Sequence, residues 1–194
     1  MKPREAKVTR ETAEVKISVC LSLDGEGKAD VNTGIRFLDH MLTTIAKHAL
    51  FNLTVKAEGD LKHHISEDVA LALGEAINQA LKDRKGIRRF GFAYVPMDDA
   101  LARAVIDLGG RPCLKLDLQL NQPYVEDMKT EDLDHFFSSL AQTSKSNIHL
   151  AVLYGENSHH KVEAAVKAFA LAIKNAVSLE SRREGVIPSA KGVI

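Results

Sequence analysis

The chain has 194 residues, 45% of them hydrophobic, enough to give one full-sized folded unit or two fused small halves a core. Lysine plus arginine and aspartate plus glutamate each total 26, so no net field draws the chain to nucleic acid, an anionic membrane or an acidic partner, and the expected partners are small molecules or further copies of itself. Met1 to Thr12 is mostly polar and no apolar run reaches membrane-span length, which predicts a cytoplasmic protein, and Cys20 and Cys113, lacking CxxC partners, read as strand residues in a reducing compartment.

In chain order, the first predicted element is a strand in which Val15, Ile17, Val19, Leu21 and Leu23 alternate with polar residues up to the turn Asp24-Gly25-Glu26-Gly27. An amphipathic helix follows: Leu38, Met41, Leu42 and Ile45 fall at i, i+3, i+4 and i+7, with His40 beside that stripe. Next come a strand over Leu53 to Ala57, a turn at Gly59, the motif His63-His64-Ile65-Ser66-Glu67, and a helix carrying Val69, Leu73, Ile77 and Leu81 on its apolar face. The series then starts again. Strands are predicted over Ala100 to Leu108 and, after the turn Gly109-Gly110-Arg111-Pro112, at Leu114, Leu116, Leu118 and Leu120. Leu133, Phe136, Phe137 and Leu140 repeat the first helix stripe with His135 in the place of His40. A strand over Ile148 to Val152, a turn at Gly155, the motif His159-His160-Lys161-Val162-Glu163 and a helix with Ala165, Phe169, Ile173 and Val177 complete the copy. The spacing from single to double histidine differs by only one residue between copies, so chance is a poor explanation. The expected fold class is α+β: one domain of two pseudo-repeats, about residues 1–90 and 91–194, each a mostly antiparallel sheet with helices packed on one face.

Six of the eight histidines occupy repeated positions: His40, His63, His64, His135, His159 and His160. A lone histidine beside a helix stripe is usually a hydrogen-bonded boundary residue, but duplication with intact spacing points to ligation. On a helix, His63 and Glu67 lie one above the other and can grip one ion, as can His159 and Glu163. Neighbouring residues project about 100° apart, so His64 and His160 reach toward other ions than their neighbours do. The economical arrangement is two equivalent sites, each one His-x-x-x-Glu pair plus the odd histidine of the other motif, and adding one Asp-His histidine to each gives three imidazoles and one carboxylate per ion. An imidazole-rich set with a carboxylate and no cysteine suits a transition metal other than structural thiolate zinc, and three imidazoles with one carboxylate leave two open positions on an octahedral ion such as Mn²⁺. Asp39 and Asp134, each preceding a single histidine, fit either a role behind the imidazole or a plain capping role.

Thr33-Gly34-Ile35-Arg36-Phe37-Leu38-Asp39-His40-Met41-Leu42, the two His-His-x-x-Glu motifs, Arg88-Arg89-Phe90-Gly91 and the tail Pro188-Ser189-Ala190-Lys191-Gly192 together resemble the imidazoleglycerol-phosphate dehydratase family, from about Thr9 to the C-terminus. The resemblance implies two Mn²⁺ ions per active site, one held by His40, His64, His159 and Glu163, the other by His63, Glu67, His135 and His160. It also implies a 24-subunit homo-oligomer with sites at subunit interfaces, and dehydration of imidazoleglycerol phosphate to the ketone phosphate in histidine biosynthesis. The proton removed is not acidic, so a metal-bound imidazolate that expels hydroxide is the implied route, with Glu11 as the base. For the phosphate the family pattern points to Arg89, Arg111, Lys167, Ser189 and Lys191, with His48 nearby. The small, polar tail cannot be core and is either disordered or a substrate clamp. Gly59-Asp60-Leu61-Lys62 lacks an acidic pair that many members carry, and no fused phosphatase domain is recognisable, which predicts a monofunctional enzyme. Two rivals remain open at this stage: a metal-dependent hydrolase, and a shell in which the histidines only staple subunits together.

Overall fold

The computed structural model describes residues 3–194. Alternating burial, the mark of strands with one face on a core, runs along β2 (Val15–Ser22) and β4 (Asn52–Gly59), which pair with the more exposed β1 (Glu5–Glu11) and β3 (Ala29–Asn32); α1 (Arg36–Ala49) lies between β3 and β4 and α2 (Lys62–Leu81) follows them. Their order in the sheet is β1-β2-β4-β3, antiparallel except for β3 beside β4. The second half runs β5 (Phe90–Met97), β6 (Ala100–Asp107), β7 (Cys113–Asp117), a small hairpin of β8 (Tyr124–Val125) and β9 (Met128–Lys129), α3 (Thr130–Ser144), β10 (Asn147–Tyr154) and α4 (Ser158–Val177). Its sheet order, β5-β6-β10-β7 with β7 parallel to β10, repeats the first, and the β8–β9 hairpin is the addition. The chain is α+β, as expected.

α2 packs on β1, β2 and β4, and α4 on β5, β6 and β10, while α2 meets α3 and α1 meets α4 across the halves. The helices therefore lie between the sheets, each with more than half of its residues buried. Phe136, Phe137, Leu38, Met41 and Leu42 are fully buried on the predicted stripes. Close approach needs small residues: a Cβ on Gly74 would sit 2.7 Å from the Leu140 carbonyl oxygen, and one on Gly91 only 1.9 Å from that of Ala172. Arg84 is buried at the seam. It donates to Leu108 O at 2.8 Å and Ser144 O at 2.9 Å, so one guanidinium ties the end of β6 to the C-terminus of α3.

Five strands, β1, β3, β5, β8 and β9, go beyond the sequence reading, and one is shorter. β1 has Val8 as its only well-buried large side chain, and β5 turns Phe90, Phe92 and Tyr94 outward, so neither carries the usual pattern. β7 ends at Asp117 instead of continuing to Leu120, because Gln119 takes a left-handed φ of 51° that no strand accommodates. α1 begins without a cap of its own. Asp127, from the β8–β9 turn, accepts from the amides of Arg36 at 3.0 Å and Phe37 at 2.9 Å and supplies it.

Candidate metal centre

Both double-histidine motifs start their helices, so His63 and Glu67 project together from α2, and His159 and Glu163 from α4. Packing of α4 on α1 brings His40 to the second pair; packing of α2 on α3 brings His135 to the first. Two clusters of potential ligands result: His40, His159 and Glu163, and His63, Glu67 and His135. In the first, Glu163 Oε2 lies 3.2 Å from His40 Nε2 and 3.1 Å from His159 Nε2. Ligands about 2.1 Å from an octahedral ion are about 3 Å apart along an edge, so both separations from Glu163 match coordination edges. The second is looser: His63 Nε2 is 3.7 Å from Glu67 Oε2, and its ring centre 4.8 Å from that of His135.

His64 and His160 join neither cluster within one chain. They project about 100° around their helices from His63 and His159, as adjacent helical residues must. Their Nδ1 atoms face Asp60 at 2.8 Å and Asp99 at 2.5 Å. The inner histidines are held in the same way, His63 Nδ1 by Asp132 at 2.7 Å and His159 Nδ1 by Glu126 at 3.1 Å. A carboxylate on Nδ1 fixes the ring and makes Nε2 the candidate ligand atom, the arrangement usual for metal-binding imidazoles. All four motif histidines have it.

Charge agrees with geometry. Burial works against the charge of Glu163, yet hydrogen bonds from Lys167, His40 and His159 prevail and hold its carboxyl at about 2. His64 and His160 are raised above their ordinary value, chiefly by the hydrogen bonds to Asp60 and Asp99, against a smaller opposing effect of burial. His48 is pushed down by burial and by the charge of Lys167, with Glu163 opposing.

The basic residues gather in two places. Arg89 holds Asp107 through Nε at 2.7 Å and Nη2 at 3.1 Å, and donates from Nη1 to Pro188 O at 2.8 Å. The tail is thereby docked, Lys191 N donates to Ser189 Oγ at 3.2 Å, and Gly110 of the Arg111 turn abuts Ile194. Lys167 stands apart with His48: its Nζ is 2.7 Å from Glu163 Oε1 and 3.2 Å from Met97 Sδ.

A family model described as imidazoleglycerol-phosphate dehydratase matches residues 33–173, a span containing all eight candidate ligands. A dehydratase of Chlorobium luteolum is 53% identical over 99% of this chain and 96% of its own, and one of Methanothermobacter thermautotrophicus is 51% identical over 97% of each. The chain belongs to the imidazoleglycerol-phosphate dehydratase family. It is a hydro-lyase by that membership. Solved structures agree: the Pyrococcus furiosus dehydratase in complex with (S)-C348 superposes with a TM-score of 0.84 at 34% identity over 96% of this chain and all of its own. The Staphylococcus aureus dehydratase gives 0.80 at 32%, over 90% and 99%.

Against that family background, Glu11 stands at the end of β1, largely exposed, with Lys16 Nζ 3.9 Å away. It borders a groove of about 1030 Å³ along the polar outer face of the first sheet. Arg10 beside it pairs with Asp68, one turn beyond His64, and Glu14 of the same hairpin lies 3.8 Å from His64 Nδ1. Glu11 and His64 thus share one end of the molecule. Asp39 serves the loop before α1, accepting from Thr33 N at 2.8 Å and Thr33 Oγ1 at 2.7 Å, and does not reach His40. Sequence reasoning missed Asp60, Asp132, Glu126 and Asp99 as partners of the histidines. Asp132 had a usable signal, being an acid one helical turn before His135, but Glu126 and Asp99 come from turns whose position only the fold reveals. Among the described residues, no helix is long and apolar enough to cross a membrane.

Proposed function

We propose that the protein is a Mn²⁺-dependent imidazoleglycerol-phosphate dehydratase that converts D-erythro-imidazoleglycerol phosphate to imidazoleacetol phosphate. The observation that carries this is the pair of imidazole and carboxylate clusters, one with octahedral-edge spacing, whose motif histidines all have a carboxylate on Nδ1. Carboxylate and imidazole donors without thiolate fit Mn²⁺. Bound there, two Mn²⁺ ions supply Lewis acidity toward the substrate's imidazole and act as a template for it.

Each cluster provides three of the four ligands in the family scheme. His64 and His160, pre-oriented but facing away, complete the sites of neighbouring copies in a homo-oligomer, for which we adopt the 24-subunit assembly of the family scheme. Glu11 travels with His64, so the copy that donates His64 to the His40, His159 and Glu163 cluster also delivers a carboxylate. That carboxylate takes the proton from the carbon next to the one losing hydroxyl. The product of elimination is an enol, which becomes the ketone. Arg89, Arg111, Ser189 and Lys191 form one phosphate-binding group around the docked tail. Lys167 and His48 face the same substrate from another subunit, since on one α4 the Lys167 position lies about 14 Å along the axis from Ala176, whose carbonyl receives the Arg89 amide.

Incubating Mn²⁺-loaded protein with imidazoleglycerol phosphate should yield the ketone phosphate. Absence of product from protein shown to carry both ions would defeat this reading.

A further inference from the structure

We propose that the two cation half-sites, though built from equivalent positions of the two halves, have diverged in affinity, and that His63, Glu67 and His135 hold a divalent cation more tightly than His40, His159 and Glu163. The inference rests on the two-ion reading above.

Two substitutions between the repeats carry it. The first lies three residues before the single histidine, where α3 has Asp132 and α1 has Phe37. Asp132 is 2% exposed and accepts a hydrogen bond from His63 Nδ1 at 2.7 Å. A buried anion behind an imidazole makes its Nε2 a stronger donor to a cation. Phe37 instead lays its ring 5.4 Å from that of His159, and the carboxylate on His159 Nδ1 is Glu126, 57% exposed and 3.1 Å away. Solvent screens that contact, so His159 gains less.

The second substitution lies one turn beyond each glutamate, where α2 has Leu71 and α4 has Lys167. Lys167 Nζ holds Glu163 Oε1 at 2.7 Å, with both side chains largely buried. Its charge opposes a dication at the other oxygen, Oε2. Leu71 exerts no such repulsion on an ion at Glu67. The odd histidines do not offset this, since His64 and His160 are each backed by an aspartate. Against the proposal stands the tighter spacing around Glu163. That spacing is equally the spacing of ordinary hydrogen bonds between Glu163 and the two rings, so it does not by itself rank the half-sites.

The test begins with metal-free protein given one Mn²⁺ per chain, followed by anomalous diffraction to read occupancy at each half-site. Manganese should collect at His63, Glu67 and His135, with an affinity advantage of about tenfold or more. Lys167→Leu, which copies Leu71, should strengthen the Glu163 half-site and narrow the difference, while Asp132→Asn should narrow it by weakening the other. Equal filling or the reverse order in the unmodified protein overturns the proposal and leaves the two-ion reading intact; no manganese at either half-site under saturation overturns both. If Asp132→Asn does not fold, an occupancy ratio unchanged by Lys167→Leu overturns the argument from charge.

Discussion

The two sheets match on their inner faces and differ on their outer ones. Facing the helices, β2 presents Val15, Ile17, Val19 and Leu21 and β6 presents Ala100, Ala102, Ala104 and Ile106, all buried. Facing outward, the first sheet shows Lys16, Ser18, Lys56 and Glu58 around its groove, whereas the second shows Phe90, Phe92 and Tyr94, each more than half exposed. Because strand side chains alternate between faces, one face can be conserved by packing while the other drifts. Duplication has kept the positions that hold the helices, and with them the histidines, while freeing the outer surfaces for separate uses. Glu11 belongs to this divergence. It ends β1, and the residue that ends β5 is Met97, a thioether that cannot act as a base at all.

That contrast makes Glu11→Gln the most damaging test. Turnover should fall about 10²- to 10⁴-fold, the usual contribution of a positioned base, with metal content by elemental analysis and assembly by light scattering unchanged. Normal turnover would assign the base elsewhere. Arg111→Ala probes the other half, at the phosphate end. It should raise KM about tenfold or more while leaving kcat nearly unchanged, since a phosphate grip acts alike in ground and transition states; a fall in kcat at constant KM would contradict that role.

The inner faces can be separated by a smaller effect. β5 lies so close to α4 that Gly91→Ala forces strand and helix apart, at a cost of about 1–3 kcal/mol. β1 keeps Ala6 and Val8 packed inward, and Ala6→Gly should cost less than about 1 kcal/mol. Denaturant midpoints of the metal-free chain would show whether the second half is the tighter one.

Much of this was legible in the sequence because duplication doubles every signal. The stripes of α1 and α3 and the His-x-x-x-Glu pairs obey helical spacing, and helices present such neighbours together whatever surrounds them. β1 and β5 were not legible, since β1 buries little and the outward aromatics of β5 blur the alternation. The partition of the six candidate ligands that one chain brings together depends on which helices touch, α1 with α4 and α2 with α3, and that is a property of the packed core. The carboxylates behind the histidines were the least visible. Asp99 reaches His160 from the β5–β6 turn and Glu126 reaches His159 from the β8–β9 turn, contacts that no local pattern encodes.

Those carboxylates give the smallest and most discriminating prediction, the pH dependence of metal uptake. Asp60 and Asp99 raise His64 and His160 above their ordinary value of 6.5, so in the metal-free chain both rings keep their protons up to a higher pH. An ion binds the neutral ring, so binding must release protons, and affinity falls as pH drops through the raised values. For folding of the metal-free chain the sign is opposite. The stabilisation from each raised histidine is fully present below 6.5 and is lost as pH rises through the raised value, so the pH that favours Mn²⁺ weakens the empty protein. Asp99→Asn should move the midpoint of Mn²⁺ uptake to lower pH, because the ring then surrenders its proton more easily, and Asp60→Asn should do the same in the first half. Calorimetric titrations in two buffers of different ionisation enthalpy count the released protons; a count that does not change with either substitution would detach these aspartates from the metal centre.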